Sequence, residues 1–594
     1  MYSVPIKTCG EPVICIQFCA EREVYTVNRR PLPIGIEFFK EMIDKRYYYV
    51  DKTLMIKDIL DKAGKVNLFT RPRRFGKTLT LQMLRTFFER EIGEDGAVVD
   101  NSRYFEGTKI AETGEAYRSH MGQYPVISLT LKSAKQPDFA AAYARLREEI
   151  VREYKRHAYL LEADGIRERD KGLYETLMDR EGSRDDYATS LQFLSECLKS
   201  YHGRDVIILI DEYDVPLENS HFRGFYGEMI DFIRSLFESA LKTNTNLAFA
   251  VVTGCLRISR ESIFTGLNHL RIISILDDSY AEYFGFTQAE VKEMLDYYGI
   301  GEREAEVKDW YDGYLFGDTE VYNPWSLIYY VWDITEHNTE FPKPYWSNTS
   351  SNSIVRELIE RADTAVKSEI ESLIAGSTVE KPVHEEITYG EIYKNQDNLW
   401  NFLFFTGYLK AVSRRFEANV MYLTLEIPNE EIRYIYQNTI REWFDEQKKD
   451  YDTTPFLEGM RTGDCEKIEN FINGQLLGSI SYYDSAENFF HGYLLGLLGG
   501  IEGYHISSNR EHGSGRPDLY LEPHHPRMPA MIIEIKCAKK FGQMEAMCDE
   551  ALRQIEERDY AAELLDEGYQ KIYKYGFCFC KKICMVKFAE EILK

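Results

Sequence analysis

Val206-Ile207-Ile208-Leu209-Ile210 is an uninterrupted apolar run that ends on two acids, Asp211 and Glu212. A strand that is apolar on both faces needs both faces covered, which is the situation of a parallel sheet flanked by helices. Three other segments read as companions: Lys65–Thr70, Tyr124–Leu129 and Leu247–Val252. Long stretches of helical periodicity separate them, among them Leu79 to Arg90, so the pattern predicts a parallel α/β sheet with helices on both sides.

With 594 residues the chain exceeds one ordinary core, and three or four folding units are expected. Hydrophobic residues at 44% and charged residues at 28% fit a globular protein. No apolar run approaches bilayer length, and Val13 to Ala20 is short and lacks a basic leader, so a cytoplasmic location is expected. The 11 cysteines form no framework. Cys578 and Cys580 alternate along a predicted strand and read as buried on one face. A net charge of −25 argues against general affinity for nucleic acid but leaves room for a local basic groove. Two such clusters exist: Arg71, Arg73, Arg74 and Lys77, and then Lys536, Lys539 and Lys540.

Gly76-Lys77-Thr78 lies between the first predicted strand and the first predicted helix. A phosphate-binding turn requires inward amides, a lysine for the β and γ phosphates and a hydroxyl for Mg²⁺. Lys77 and Thr78 supply the last two, and the helix N-terminus adds partial positive charge. Where a glycine is usual five residues before Gly76 the chain has Arg71, so Arg71-Pro72-Arg73-Arg74-Phe75 must turn by another route, with Pro72 a candidate for the bend. Asp211 is placed to share the Mg²⁺ shell with Thr78, and Glu212 to orient or deprotonate the attacking water. Thr253 is a candidate sensor and Arg257, with Arg260, a candidate charge stabiliser. A capping threonine with surface arginines is an equal reading of that last segment.

A second constellation lies near the C-terminus. Asp518 opens one predicted strand, and Glu534 and Lys536 lie two apart on the next, so their side chains share a face. Pairing the two strands would bring Asp518 beside them. The carboxylates Asp518 and Glu534 would bind Mg²⁺, and Lys536 would orient the water for phosphodiester cleavage. Glu487 on the preceding helix is a further candidate carboxylate, and Gln554 and Tyr560 form a looser helix pair. An exposed charged sheet face is the plainer reading, but the charges interrupt the apolar run Met531-Ile532-Ile533, where placing them is costly. His491, His524 and His525 read as structural.

Several segments together resemble the AAA-ATPase-like family that carries a C-terminal PD-(D/E)XK nuclease-like domain. They are Leu32 to Ile36, Tyr49 to Thr53, Arg71 to Thr78, Leu209 to Asp214 and Thr253 to Ile258. Trp310-Tyr311-Asp312-Gly313-Tyr314, Tyr322 to Ser326, Asn509 to Glu511 and Gly515 to Asp518 extend the likeness. The resemblance implies an α/β chain in four parts. Residues 1–31 are a leader, and 32–278 a P-loop NTPase domain with a parallel sheet that binds ATP through Arg73, Arg74, Phe75, Gly76, Lys77 and Thr78. Residues 279–465 are a helical lid and winged-helix-like region, and 466–594 a restriction-endonuclease-like α/β domain. The expected function is an ATP-hydrolysing protein whose cycle controls a Mg²⁺-dependent nuclease acting on DNA, with self-association left open. A nucleotide-operated switch whose nuclease-like domain only binds nucleic acid or a protein is the alternative; a nuclease with a degenerate nucleotide fold is a third.

Overall fold

The computed structural model describes residues 29–592 apart from 164–165, 258–262, 265–266, 338–340, 349–363, 375, 385–395, 439–452, 480–486, 499–500, 502, 509–516, 526–527, 567 and 582. The expected leader, Arg260 and the segments 509–511 and 515–516 therefore fall almost wholly outside the described residues.

Five strands form the N-terminal sheet: β1 (Val66–Thr70), β2 (Val126–Thr130), β3 (Val206–Asp211), β4 (Leu247–Gly254) and β5 (Leu270–Ile273). Their order is β2-β3-β4-β1-β5, and every neighbouring pair is parallel. All six residues of β3 are buried, as its composition requires. Each buried Val, Ile or Leu there contributes about 1.5–3 kcal/mol relative to exposure. The edge strand β5 was not legible in sequence, because its four residues are mostly half-buried and carry no alternation.

The middle region combines helices with short antiparallel strands. It contains a hairpin of β6 (Tyr314–Phe316) and β7 (Thr319–Val321). Further on is an antiparallel sheet, β8 (Val379–Val383), β9 (Lys410–Glu417) and β10 (Val420–Glu426), in the order β8-β10-β9. The Gln288–Tyr298 helix opens on a capping box of Thr287 and Glu290. Helix Pro324–Glu336 starts at Asn323, whose side chain accepts from the Trp325 amide. One hydrophobic core runs from the parallel sheet through Tyr314, Phe316 and Trp346 into the three-stranded sheet.

The C-terminal sheet keeps chain order: β11 (Tyr504–Ser508), β12 (Leu519–Pro523), β13 (Ala530–Cys537), β14 (Lys571–Cys580) and β15 (Ile583–Ile592). Only β13 and β14 run parallel, joined by the crossover helix Met544–Glu557. Met531, Ile533 and Ile535 face one core, and Ala530 and Ile532 face another. Helix Thr454–Thr462 packs Phe456 and Met460 into the first of these, and the Tyr575 hydroxyl donates to the Met460 carbonyl at 2.6 Å. This helix lies before the boundary at 465 read from sequence and shares the core of the C-terminal sheet. Cys578 and Cys580 are buried beside Cys548, as buried strand cysteines. Among the described residues no helix is long and apolar enough to cross a membrane.

Gly313 ties the middle region together. Its φ is +91°, and a Cβ there would stand 2.2 Å from the Pro428 carbonyl oxygen. Beside it the Asn429 side chain donates to the Asp312 carbonyl at 2.6 Å. Positive φ on a side-chain-bearing residue costs about 1–3 kcal/mol before any clash. Gly313→Ala is therefore expected to lower the melting temperature of the part of the chain built on the parallel sheet by several degrees. A thermal unfolding scan that leaves it unchanged would contradict this packing.

Candidate functional site

The first site is built where β1, β3 and β4 end side by side. β1 runs into the loop 71–76, and the Lys77–Phe88 helix starts from Gly76, whose φ is 81°. Asp211 ends β3 and accepts from the Thr78 hydroxyl at 2.6 Å through one oxygen and from the Thr253 hydroxyl through the other. Thr253 is thus turned onto Asp211. Thr78 and Asp211 together offer the hydroxyl and carboxylate that Mg²⁺ takes beside nucleotide phosphates.

Lys77 is buried, and its ammonium donates to the carbonyls of Arg71 at 2.9 Å and Pro72 at 2.8 Å, inside the bowl of the loop. Glu212 follows Asp211 with a φ of 54°. Burial, and then the charge of Asp211, raise its carboxyl above the usual range, while Lys77 and Lys132 oppose the rise. That is the direction a general base needs.

The loop without its first glycine is held by side chains. Positive φ at Arg74 (72°) and Gly76 (81°) makes the turn beside Pro72. Arg71 turns away from the bowl of the loop: its guanidinium donates to the Thr70 and Ile273 carbonyls at 2.9 and 3.0 Å and lies 5.0 Å from the Phe316 ring. Full burial lowers it to about 9, so it stays charged at neutral pH. Arg73 makes a two-pronged contact with Glu218, both oxygens at 2.8 Å. Arg74 lies 3.9 Å over the Trp325 ring, and Phe75 packs edge-on to Tyr314 at 5.0 Å. Of the residues assigned to the cofactor from sequence, Arg73 and Phe75 therefore use their side chains to hold the loop.

A cavity of about 410 Å³ opens over this loop. Lys77, Thr78 and Glu212 form its polar floor, and Ile34, Ile36, Trp325 and Ile328 supply apolar walls. Arg257 is not among its lining residues, whereas Lys132 and Lys135 are. Sequence reading passed over these two lysines, and over Asp214 and Glu218. Asp214 is buried and accepts from the Cys255 and Leu256 amides at 2.7 and 3.1 Å, fixing the exit of β4. Its place in Asp211-Glu212-Tyr213-Asp214 was the available signal, hidden because a run of acids reads as solvated.

The second site lies on β13. Because β13 faces alternate cores, Glu534 points with Ile532 toward the side covered by the crossover helix. Lys536 donates to Glu534 Oε1 at 2.9 Å, and Gln554 from that helix donates to the same oxygen. Asp518, just before β12, accepts from the Ile535 amide at 2.7 Å, so the antiparallel pairing sets it beside Glu534. Tyr560 is not brought to the site; it is buried in the core beneath Tyr520. His491 bonds the Asp518 carbonyl at 2.8 Å, a structural contact. Glu487 starts the Glu487–Leu498 helix, but its side chain lies outside the described ones.

Glu534 is 3% exposed, and its Oε2 is buried with no hydrogen-bond partner. Burial and then Asp518 push its carboxyl up to about 7. An orphaned buried carboxylate oxygen opposite a second carboxylate fits a divalent cation, which would satisfy both.

Residues 33–264 match the family model described as predicted AAA-ATPase, and residues 485–589 match the PD-(D/E)XK nuclease superfamily. The chain carries an AAA-ATPase-like domain followed by a PD-(D/E)XK nuclease-like domain. It is also similar to a protein of Azotobacter chroococcum mcd 1 named "Uncharacterized protein in vnfD 5'region", 27% identical over 340 residues. That match covers 56% of this chain and 57% of the relative.

The raised Glu534 carboxyl has a consequence for stability. Its ionised form is disfavoured in the folded state, so between its ordinary value of 4.5 and about 7 the folded nuclease-like domain loses stability as pH rises. Glu534→Gln stays neutral and escapes this loss. Without divalent metal, the variant's melting temperature is expected to match the wild type near pH 4.5 and exceed it above pH 7. Parallel pH profiles of the two proteins would refute the assignment.

Proposed function

We propose that the AAA-ATPase-like domain binds and hydrolyses ATP, and that this cycle controls Mg²⁺-dependent cleavage of DNA by the nuclease-like domain. The observation that carries the first half is the Thr78–Asp211–Thr253 arrangement with Lys77 at the neck of the loop. The loop amides and Lys77 receive the phosphates, and the ammonium exchanges the Arg71 and Pro72 carbonyls for phosphate oxygens. Thr78 and Asp211 hold the accompanying Mg²⁺. Glu212 orients the attacking water and accepts its proton.

The second half rests on Asp518, Glu534 and Lys536 meeting on one side of β12 and β13. Asp518 and Glu534 are the residues that would hold Mg²⁺, which supplies an activated water and charge for the leaving oxygen. Lys536 orients that water, and Gln554 keeps Glu534 from swinging away. Lys539 and Lys540, both exposed just past β13, give the mouth of this site a positive edge suited to a phosphodiester backbone.

The test uses the purified chain with single- and double-stranded DNA and RNA, Mg²⁺ or Mn²⁺, with and without ATP. Cleavage of DNA is expected, abolished by Glu534→Ala. Lys77→Ala should cut ATP hydrolysis by about a hundredfold or more and alter cleavage only where ATP is present. ATP hydrolysis without cleavage of any substrate would instead favour a nucleotide-operated switch. Cleavage indifferent to ATP and to Lys77→Ala would leave the nucleotide domain structural.

A further inference from the structure

The AAA-ATPase-like site contains more cations than its loop motif accounts for, and most of them are already committed. Arg71 is turned onto backbone carbonyls away from the bowl, Arg73 is neutralised by Glu218, and Arg74 lies over Trp325. Lys77 belongs to the loop itself. Arg257 stands outside the cavity lining. Lys52, also on the wall, is held by Glu290 at 2.6 Å. The remaining described cations there are Lys132 and Lys135.

Their position follows from strand register. β2 pairs with β3 so that Thr130 stands beside Asp211, and the Leu131 amide donates to the Asp211 carbonyl at 3.0 Å. The next residue, Lys132, is therefore carried to the carboxyl edge of the sheet beside Glu212, and its charge is felt by the Glu212 carboxyl. A one-turn 3₁₀ segment, Lys132–Ala134, then folds the chain back with Ala134 buried, which returns Lys135 to the same wall. Asn219 from the Val215–Arg223 helix donates to the Gln136 carbonyl at 2.6 Å and fixes the end of this segment. Lys132 makes one exposed ion pair, with Glu37 at 3.1 Å, both side chains about half or more exposed. Such a pair is worth about 0–1 kcal/mol, so a polyphosphate can displace it at little cost.

We propose that Lys132, seconded by Lys135, contacts the γ-phosphate of the bound nucleotide and stabilises the charge that develops on it during hydrolysis. This deepens the ATPase reading and rests on it: the stabilising cation comes from the same chain, at the end of β2, rather than from Arg257 or a second subunit. In the reaction, water attacks the γ-phosphorus and the bond to the β,γ-bridging oxygen breaks. Glu212 takes the proton, and ADP leaves with the bond electrons. The lysines form no covalent bond; their charge opposes the build-up on the phosphoryl oxygens.

The experiment measures ATP turnover and, separately, binding of a fluorescent ATP analogue by the full chain and by Lys132→Ala, Lys132→Arg and Lys135→Ala. Lys132→Ala is expected to lower kcat about a hundredfold, with analogue affinity changed less than about threefold and with substantial recovery in Lys132→Arg. Lys135→Ala should show a smaller loss of the same kind. Because Lys132 is exposed, the fold is expected to survive, and an unchanged melting temperature checks this. Turnover in Lys132→Ala equal to wild type, or a loss confined to affinity, overturns the inference while leaving the ATPase reading intact. Turnover per chain that rises steeply with protein concentration overturns it too, since a cation supplied by another subunit behaves in that way. A wild-type chain that binds the analogue but never hydrolyses ATP refutes the ATPase reading itself.

Discussion

The Asp211 carboxylate, accepting one hydroxyl from Thr78 and another from Thr253, is the contact on which the nucleotide-binding half is organised. The three residues come from β3, from β4 and from the helix that follows β1, and those strands are neighbours in that order. A carboxylate that is 6% exposed would be expensive to keep without donors. Two hydroxyls meet that cost only if the three strands end at the same level. The parallel registers ensure it, pairing Ile210 with Val252 and Phe69 with Thr253. The start of the Lys77–Phe88 helix, and with it the loop, is thereby fixed to the strand that carries Glu212.

The loop itself makes its turn without the flexibility a glycine provides at its first position. Five consecutive residues supply anchors to five different places. Arg71 holds β5, Arg73 holds the helix carrying Glu218, Arg74 meets Trp325, and Phe75 enters the β6 hairpin. Pro72 lies against Gly407, where an added Cβ would come within 3.1 Å of it. Side chains fixed at both ends restrict the loop more tightly than glycines could, because each lost contact would strand a buried charge or ring. They also mean that rearrangement of the loop around phosphates cannot stay local. It must be shared with the Pro324–Glu336 helix and the hairpin, both packed on the middle region.

Much of this was legible in the sequence where one physical signal dominated. β3 was recognisable because five apolar residues in a row admit few environments. The pairing of Asp518 with Glu534 followed from alternation on two short strands. What escaped depended on register or on distant partners. β5 is a four-residue edge strand with no distinctive pattern. Lys132 and Lys135 look like surface lysines until the pairing of β2 with β3 places them on the cavity wall. Arg73 and Phe75 were read as ligand contacts because they lie in the loop; only the fold reveals Glu218 and Tyr314 as their partners. The individual strands of the middle region escaped because exposed strands such as β9, with most of its side chains facing solvent, lack the hydrophobic periodicity that marks a sheet.

The two carboxylate sites differ in how completely the protein satisfies them, and the difference has chemical consequences. Asp211 has a donor on each oxygen, so its charge is supported by the fold itself. Glu534 has both its donors, Lys536 and Gln554, on one oxygen, while the other is buried and bare next to Asp518. Two carboxylates facing each other in a partly closed space repel, and the one that is more buried takes up the proton first. Glu534, pushed to about 7, therefore exchanges a proton near neutrality, where any cation entering between it and Asp518 must displace that proton. The Asp211 charge is supported in advance by hydrogen bonds, whereas the Glu534 charge depends on what stands beside its bare oxygen. Under the function proposed above, a divalent cation held by Asp518 and Glu534 would have to displace that proton first, which ties its binding to pH.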